Sequence, residues 1–170
     1  MNRKVSVAPM MDCTDRHERY FLRVISKNTV VDAEMIVAEA ITRGNTKKVL
    51  EFNSNEEHVA LQLGGSSPNL LAEASKIGED FGYDEINLNL GCPSKKVEKN
   101  KFGACLMKEP NLVAECLSEM QSKTKLPVTI KTRVGYDNVE DYEAFYNFIL
   151  ILKKTGIKTF IIHARKAMLG

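Results

Sequence analysis

The sequence predicts an α/β fold, a parallel (β/α)8 TIM barrel of which the 170 residues carry about the first six strands. Two observations favour this fold. Short runs rich in Val, Ile and Leu alternate with longer segments of helical periodicity, which is typical of a parallel sheet. Polar and charged residues follow the carboxyl ends of several runs, where a barrel gathers its functional groups.

The predicted strands are six apolar runs. They cover residues 5–10, 29–35, 59–63, 85–90, 127–134 and 159–163. An open dinucleotide-binding sheet is the competing architecture, but it usually carries GxGxxG after its first strand, and here that strand continues as APMMD at 8–12. A complete barrel has eight strands in about 250 residues. The sequence therefore predicts an incomplete barrel.

Three predicted helices carry their own start and stop signals. The first begins at Pro68, behind a serine that suits the cap position, and ends at Gly82. The second begins at Pro110. The third is expected to begin near Asn138, with acidic residues in its first turn, and to end in lysines before Gly156. This distribution of charge complements the helix dipole.

Composition excludes several classes of protein. The chain is 44% hydrophobic and 27% charged, which is typical of a globular domain and not of a disordered one. No apolar run approaches the roughly 20 residues that a membrane span needs, and the N-terminus lacks a signal-peptide core. The net charge of +2 is too small to indicate a nucleic-acid-binding protein by itself.

Cysteine and histidine usage predicts neither a disulfide framework nor a metal site. Cys13, Cys92, Cys105 and Cys116 show no CxxC spacing, and the three histidines are scattered. Without clustered ligands of this kind, a structural zinc site is not expected. The simplest interpretation is a reduced, cytoplasmic protein.

The densest candidate site is the strand end NLNLGCPS at 87–94. Asn87 and Asn89 are two residues apart in a strand, so both side chains point to the same side. Their amides suit hydrogen bonds to a flat polar ligand such as a nucleobase. Cys92, in the loop that follows, is a candidate acid or nucleophile. The alternative interpretation of Cys92 is a buried structural thiol.

Cations follow two later strands. Lys131 and Arg133 are expected on one side of strand 127–134, where they suit an anionic cofactor or phosphate. His163 and Arg165 repeat this pattern after strand 159–163. The alternatives are a solvated strand end for the first pair and a structural role for the histidine.

Two weaker signals flank these strand ends. Gln62 lies before two glycines that let a ligand approach the backbone, although a plain strand-to-helix turn explains the same residues. The loop after Cys92 is basic, which fits either a solvated surface or contact with phosphate backbones. Its cations are Lys95, Lys96, Lys99 and Lys101.

In order and spacing, these motifs resemble those of the tRNA-dihydrouridine synthases. The motifs are APM at 8–10, LQLGG at 61–65, NLNLGCPS at 87–94, TIKTR at 129–133 and IIHAR at 161–165. Segments 15–17, 102–107 and 163–167 look like the bacterial A-type subfamily. The resemblance covers essentially the whole chain, and the ordered set is far more specific than any single motif.

The resemblance implies a barrel that binds FMN at its carboxyl-end mouth and uses NADPH to reduce uridine to 5,6-dihydrouridine in the D-loop of tRNA. Cys92 matches the cysteine that protonates C5 of the uracil. The implied FMN contacts are Pro9, Met10, Gln62, Lys131 and His163, and the implied tRNA contacts are Asn89 and Arg165.

In that family the last barrel strands and a helical tRNA-binding domain come later in the chain. Residues 1–170 are therefore expected to be the N-terminal portion of the catalytic barrel domain. Two alternatives remain: a flavin-dependent oxidoreductase of free pyrimidines, similar to the dihydroorotate dehydrogenases, and an inactive fragment. Unpaired barrel edges also predict that two copies associate edge to edge.

Overall fold

A parallel sheet lies at the centre of the structure, a computed structural model that describes residues 4–53, 55–137 and 142–168. Every strand pair in this sheet is parallel. The described strands are β1 Ser6–Val7, β2 Val30–Asp32, β3 Ile36–Val37, β4 Val59–Gly64, β5 Glu85–Leu90, β6 Val128–Arg133 and β7 Phe160–His163.

The strands follow one another across the sheet in chain order. That order is β1-β2-β4-β5-β6-β7, and the short β3 pairs with β4. Helices lie between successive strands. Parallel strands in chain order with intervening helices form half of a β/α barrel. The predicted fold class, an incomplete parallel β/α barrel, is confirmed.

Seven α-helices and one 3-10 helix connect the described strands. They are α1 Arg16–Ile25, α2 Ala38–Arg43, α3 Thr46–Leu50, α4 Pro68–Phe81, α5 Lys95–Lys99, the 3-10 helix Gly103–Lys108, α6 Pro110–Lys123 and α7 Tyr142–Lys153. The predicted helix starts at Pro68 and Pro110 are confirmed, and Gly82 ends α4 with a φ of 97°. The predicted start near Asn138 lies outside the described residues.

The two N-terminal strands are shorter than predicted. The run 5–10 keeps only the two residues of β1, because Cys13 and Thr14 donate backbone hydrogen bonds to the Met10 carbonyl and turn the chain away from the sheet. Of the run 29–35, only residues 30–32 form a strand, β2, and β3 begins one residue after the run, at Ile36. Asp32 pairs with Ala60 and Ile36 with Leu63, so one extra residue interrupts the ladder as in a bulge.

The two faces of the sheet differ in chemistry. A Cβ atom added at Gly78 of α4 would lie 2.6 Å from Leu61 Cδ2 and 3.0 Å from Ile86 Cδ1, so these strand residues face the helices. Side chains alternate along a strand, so the residues beside them, Gln62 and Asn87, face the inner side of the half-barrel. The outer face carries the apolar core, and the inner face carries the polar residues described next.

Candidate active site

A chain of hydrogen-bonded polar side chains crosses the inner face of β4, β5 and β6. Asn89 Nδ2 donates to Gln62 Oε1 at 2.8 Å, and Gln62 Nε2 donates to Asn87 Oδ1 at 2.8 Å. Asn87 Nδ2 donates to Thr129 Oγ1 at 2.8 Å, and that hydroxyl donates to Glu85 Oε1 at 2.7 Å. All five side chains are buried, which suits a network whose polar groups satisfy one another. We call these five residues the amide chain.

The backbone of the Cys92 loop is fixed on several sides. Asn89 Oδ1 accepts hydrogen bonds from the backbone N–H groups of Gly91 at 3.1 Å and Cys92 at 3.0 Å. The Ala104 N–H donates to the Cys92 carbonyl at 3.0 Å, and Arg133 Nε donates to the Gly91 carbonyl at 3.1 Å. Cys92 therefore occupies a loop that β5, β6 and the 3-10 helix all contact.

Gly103 makes the close approach of the 3-10 helix to this loop possible. Its φ is 75°, a conformation that residues with a Cβ rarely adopt. A Cβ atom at this position would lie 2.5 Å from Val97 Cγ1 and 2.6 Å from the Cys92 carbonyl oxygen. Only glycine fits here without moving the Cys92 loop.

Cys92 lines a cavity of about 780 Å³ at the carboxyl-end mouth. This volume falls within the range of small-molecule sites. The apolar wall includes Met35, Leu70 and Phe102, and the polar rim includes Ser66, Ser67, Lys96 and Asn100. The cavity thus combines apolar surface for a flat ring with a few polar groups that could orient it.

A row of cations lies beside the Cys92 loop. Arg133 pairs with His163 across β6 and β7, and Lys131 precedes Arg133 on the same side. Burial, followed by the charge of Arg133, lowers the pKa of Lys131. The charge of Arg133 is also the largest cause that lowers the pKa of His163, and Arg165 contributes to the same effect. We call Lys131, Arg133, His163 and Arg165 the cation row.

None of the ion pairs among residues 4–53, 55–137 and 142–168 involves a member of the cation row. The charge of Asp32 acts on Lys131, where it opposes the lowering of the pKa. Closely spaced cations that lower one another's pKa values are stabilised by a bound anion. The row is therefore suited to an anionic ligand.

The structure brings most of the predicted site residues together. Six of them lie at the carboxyl ends of β4 to β7 or in the loops that follow: Gln62, Asn89, Cys92, Lys131, His163 and Arg165. Pro9 and Met10 follow β1, at the other end of the sheet. Their neighbours Met11 and Asp12 line the same cavity as Cys92.

The burial of two predicted ligand contacts bears on how they act. Gln62 is only 1% exposed, and its amide donates to one asparagine of the amide chain and accepts from the other. Asn89 is 9% exposed, and its carbonyl oxygen serves the Cys92 loop. The ligand contacts assigned to both residues remain predictions.

Sequence reasoning named Arg133 as an anion contact beside Lys131, but it missed the Arg133–Gly91 and Glu85–Thr129 hydrogen bonds. A signal was present, because polar residues occupy every second position of β5 at 85, 87 and 89 and of β6 at 129, 131 and 133. The pattern alone does not say which of these side chains meet. That depends on the register, in which Asn87 lies opposite Thr129.

No helix among the described residues has the length and apolar character needed to cross a membrane. Within the same residues, no group of three or more His, Cys, Asp or Glu side chains could hold a metal ion.

The fold and site define a β/α-barrel protein with a thiol, an amide chain and a cation row at the carboxyl-end mouth. The model of the family described as "Dihydrouridine synthase (Dus)" matches residues 6–169. The chain belongs to this family.

Relatives named "tRNA-dihydrouridine(20/20a) synthase" match nearly the whole chain. The protein from Synechocystis sp. is 53% identical over 165 residues, which cover 97% of this chain and 49% of the relative. Those from Vibrio parahaemolyticus and Escherichia coli are each 50% identical over 168 residues, covering 98% of this chain and 51% and 48% of the relatives. The chain spans about half the length of the curated relatives it matches.

Proposed function

We propose that this chain serves the FMN-dependent reduction of uridine to 5,6-dihydrouridine in the D-loop of tRNA, with NADPH as the reductant. The observation that carries the proposal is the position of Cys92, which lines a cavity beside the cation row in a member of the dihydrouridine synthase family. The relatives' names specify tRNA, which favours an RNA substrate over a free pyrimidine. Residues 1–170 are proposed to be the N-terminal portion of the catalytic barrel domain.

The residues of the mouth fit FMN. FMN is an anionic cofactor, and the cation row offers positive charge without an ion-pair partner among the described residues. We propose that Lys131 and His163 of this row contact FMN. The other proposed FMN contacts are Gln62 on β4 and Pro9 and Met10 after β1. When bound, FMN supplies the hydride that adds to C6 of the uracil.

Cys92 is the proposed proton donor. As the hydride reaches C6, the Cys92 thiol gives its proton to C5, so the C5–C6 double bond becomes a single bond. The thiolate left behind regains a proton from water. Negative charge that develops on the uracil carbonyl is stabilised by the adjacent cations, as in other preorganised sites. Asn89 and Arg165 are the proposed contacts to the target nucleotide.

The region after Cys92 suits the RNA backbone. Lys95, Lys96 and Lys99 belong to α5, and Lys96 also lines the Cys92 cavity. Lysines in such a position can contact phosphates and release counterions. A target base has to leave the RNA stack to reach Cys92, and bases in single-stranded loops do so at modest cost.

The first test is FMN retention, followed by dihydrouridine formation in unmodified tRNA with NADPH. A protein-shifted flavin absorption band after removal of free FMN is the expected result. Cys92→Ala should then lower the rate of dihydrouridine formation by about 10²- to 10⁴-fold, the usual share of a general acid. Cys13→Ala, which removes an exposed thiol, is the matched control and should keep the rate.

Three outcomes would change the proposal. Dihydrouridine formation at full rate by Cys92→Ala would show that another group is the acid. Activity on free uracil or dihydroorotate, with none on tRNA, would assign the chain to the free-pyrimidine oxidoreductases. Absence of both activities and of FMN binding would make it an inactive fragment.

We also propose that two copies associate through the ends of the sheet. Among the described strands, β1 and β7 lie at the two ends of the strand order. Near β1 the chain exposes large apolar side chains, which favour burial against a partner. These are Val5, Phe21, Val24 and Ile25. Light scattering tests this, because a monomer at every concentration would contradict it.

A cytoplasmic location is proposed as well. All four cysteines are free thiols, which is usual for proteins of a reducing compartment. The proposed tRNA substrate is consistent with this location. Fractionation of cells that produce the protein would test it.

A further inference from the structure

We infer that the amide chain positions Cys92. Glu85, at the amino end of β5, acts through Thr129 to fix the orientation of Asn89. Asn89 in turn holds the backbone of Cys92. The functional meaning of this role rests on the proposed function, in which Cys92 is the proton donor. The structural claim stands on the hydrogen bonds alone. Glu85, Thr129 and Asn89 are therefore proposed as positioning residues.

The direction of the hydrogen bonds follows from the chemistry of the groups. The Asn87 amide N–H donates to the Thr129 oxygen, and the Thr129 hydroxyl donates its hydrogen to Glu85 Oε1 at 2.7 Å. The first of these bonds turns the Asn87 carbonyl toward Gln62. The Gln62 carbonyl in turn faces the amide nitrogen of Asn89.

This order leaves the Asn89 carbonyl oxygen directed at the Cys92 loop. There it accepts the two backbone N–H groups of Gly91 and Cys92 at 3.1 and 3.0 Å. If the Asn89 amide were reversed, its NH2 group would face the backbone N–H groups of Gly91 and Cys92. Donor would then face donor, and both backbone groups would lose their acceptor. A buried donor without a partner costs about 1–3 kcal/mol, so the reversed orientation is strongly disfavoured.

The other contacts of the loop do not replace Asn89. Arg133 and Ala104 bond to the carbonyls of Gly91 and Cys92, respectively. Among the hydrogen bonds of the described residues, Asn89 alone accepts the N–H of Cys92. The members of the amide chain are at most 9% exposed, so solvent does not substitute for a missing link.

Positioning matters because proton transfer depends on placement. A displacement of about 1 Å can cost on the order of a hundredfold in rate, even when the change lies far from the reacting atoms. Thr129 is 1% exposed and lies below the mouth, where it does not line the Cys92 cavity. Thr129 can therefore act on Cys92 through the amide chain or through strand β6, which also carries Arg133, and a control in the same strand separates the two routes.

Thr129→Val is the sharpest test, because it removes the hydroxyl link and keeps the shape of the side chain. Thr132→Val is the matched control in the same strand. Thr132 is also fully buried, but its hydroxyl makes only long contacts of 3.4 and 3.3 Å to the backbone, outside the amide chain. Asn89→Ala is the second test variant, because it removes the acceptor itself.

The experiment measures by mass spectrometry how fast iodoacetamide alkylates Cys92 and the exposed Cys13 of the same molecule, at several pH values. The measured quantity is the ratio of the Cys92 rate to the Cys13 rate. A loosened loop exposes the half-buried Cys92, so this ratio should rise about threefold or more in Thr129→Val and Asn89→Ala. Thr132→Val should keep the wild-type ratio. In tRNA reduction, Thr129→Val should lower kcat about tenfold while the KM for tRNA stays within about twofold.

The outcomes separate this inference from the proposed function. An unchanged ratio in Thr129→Val, with the variant folded by circular dichroism, overturns the positioning role of the amide chain. If Thr129→Val does not fold, an unchanged ratio in folded Asn89→Ala overturns it. A raised ratio together with full activity of Cys92→Ala supports the positioning of Cys92 and removes its role as the acid.

Discussion

Arg133 Nε donates a 3.1 Å hydrogen bond to the backbone carbonyl of Gly91, the residue directly before Cys92. The positive charge of the same guanidinium is the largest cause of the lowered pKa of His163 on β7. Arg133 therefore links the thiol loop after β5 to the cation row at the ends of β6 and β7.

Replacing Arg133 with glutamine should raise the pKa of His163 toward its ordinary value. A positive neighbour disfavours the protonated imidazole, so removing that charge makes protonation easier. NMR titration of the histidine ring signals measures the change, with His17 and His58 as internal references. Arg43→Gln, which alters an exposed ion pair with Glu39, is the control and should leave His163 unchanged. A constant His163 pKa in Arg133→Gln would contradict the assignment.

Anion binding at the cation row should be tighter at lower pH. The cations of the row lower the pKa of His163, and a bound anion offsets their repulsion and raises that pKa. Binding then takes up a proton, so affinity increases as the pH falls through the His163 pKa. Isothermal titration with inorganic phosphate above and below that pKa measures the effect. His163→Gln should make phosphate affinity less dependent on pH in this range. If the pH profile of phosphate binding is the same in that variant, His163 is not the group that takes up the proton.

Replacing Glu56 with glutamine should destabilise the fold strongly. Arg19 Nε lies 2.8 Å from Glu56 Oε2, with both side chains at most 5% exposed. Neutralising one partner leaves a buried charge unpaired, which costs about 3–5 kcal/mol. Urea denaturation measures the loss. Glu51→Gln breaks the exposed pair with Arg16 and should cost no more than about 1 kcal/mol; equal losses in the two variants would refute the prediction.

Gly103→Ala should destabilise the chain and loosen the Cys92 loop. The new Cβ would lie 2.6 Å from the Cys92 carbonyl oxygen and would also sit at a φ of 75°. Gly156→Ala is the matched control, since its φ is 92° but the nearest contact of its Cβ is 4.0 Å away. Strain at such a φ costs about 1–3 kcal/mol. Denaturation and alkylation of Cys92 should show a larger effect at Gly103, and equal effects would mean that the steric clash is relieved.

Much of the fold was predictable because its signals are local. The apolar runs at 59–63, 85–90, 127–134 and 159–163 correspond to β4, β5, β6 and β7 within one residue at each end. The prolines at the start of α4 and α6 are local signals, although Ser67, the expected cap of α4, makes no side-chain capping hydrogen bond. The early end of β2 at Asp32 and the separate strand β3 at Ile36–Val37 were missed, because the extra residue between them depends on the register with β4.

The sequence by itself determined which side chains reach the carboxyl-end mouth, since alternation within a strand and strand order place Asn89, Cys92 and Lys131 there. Only the tertiary structure decided what those side chains contact. The hydrogen bonds Gln62–Asn87 and Asn87–Thr129 join residues that are 25 and 42 positions apart in the chain. A shift of one residue in either strand register would turn every side chain to the other face of the sheet. The physical reason is that register depends on which buried side chains face the helices, as Leu61 and Ile86 face Gly78, and residues so far apart in the chain give no local signal of it.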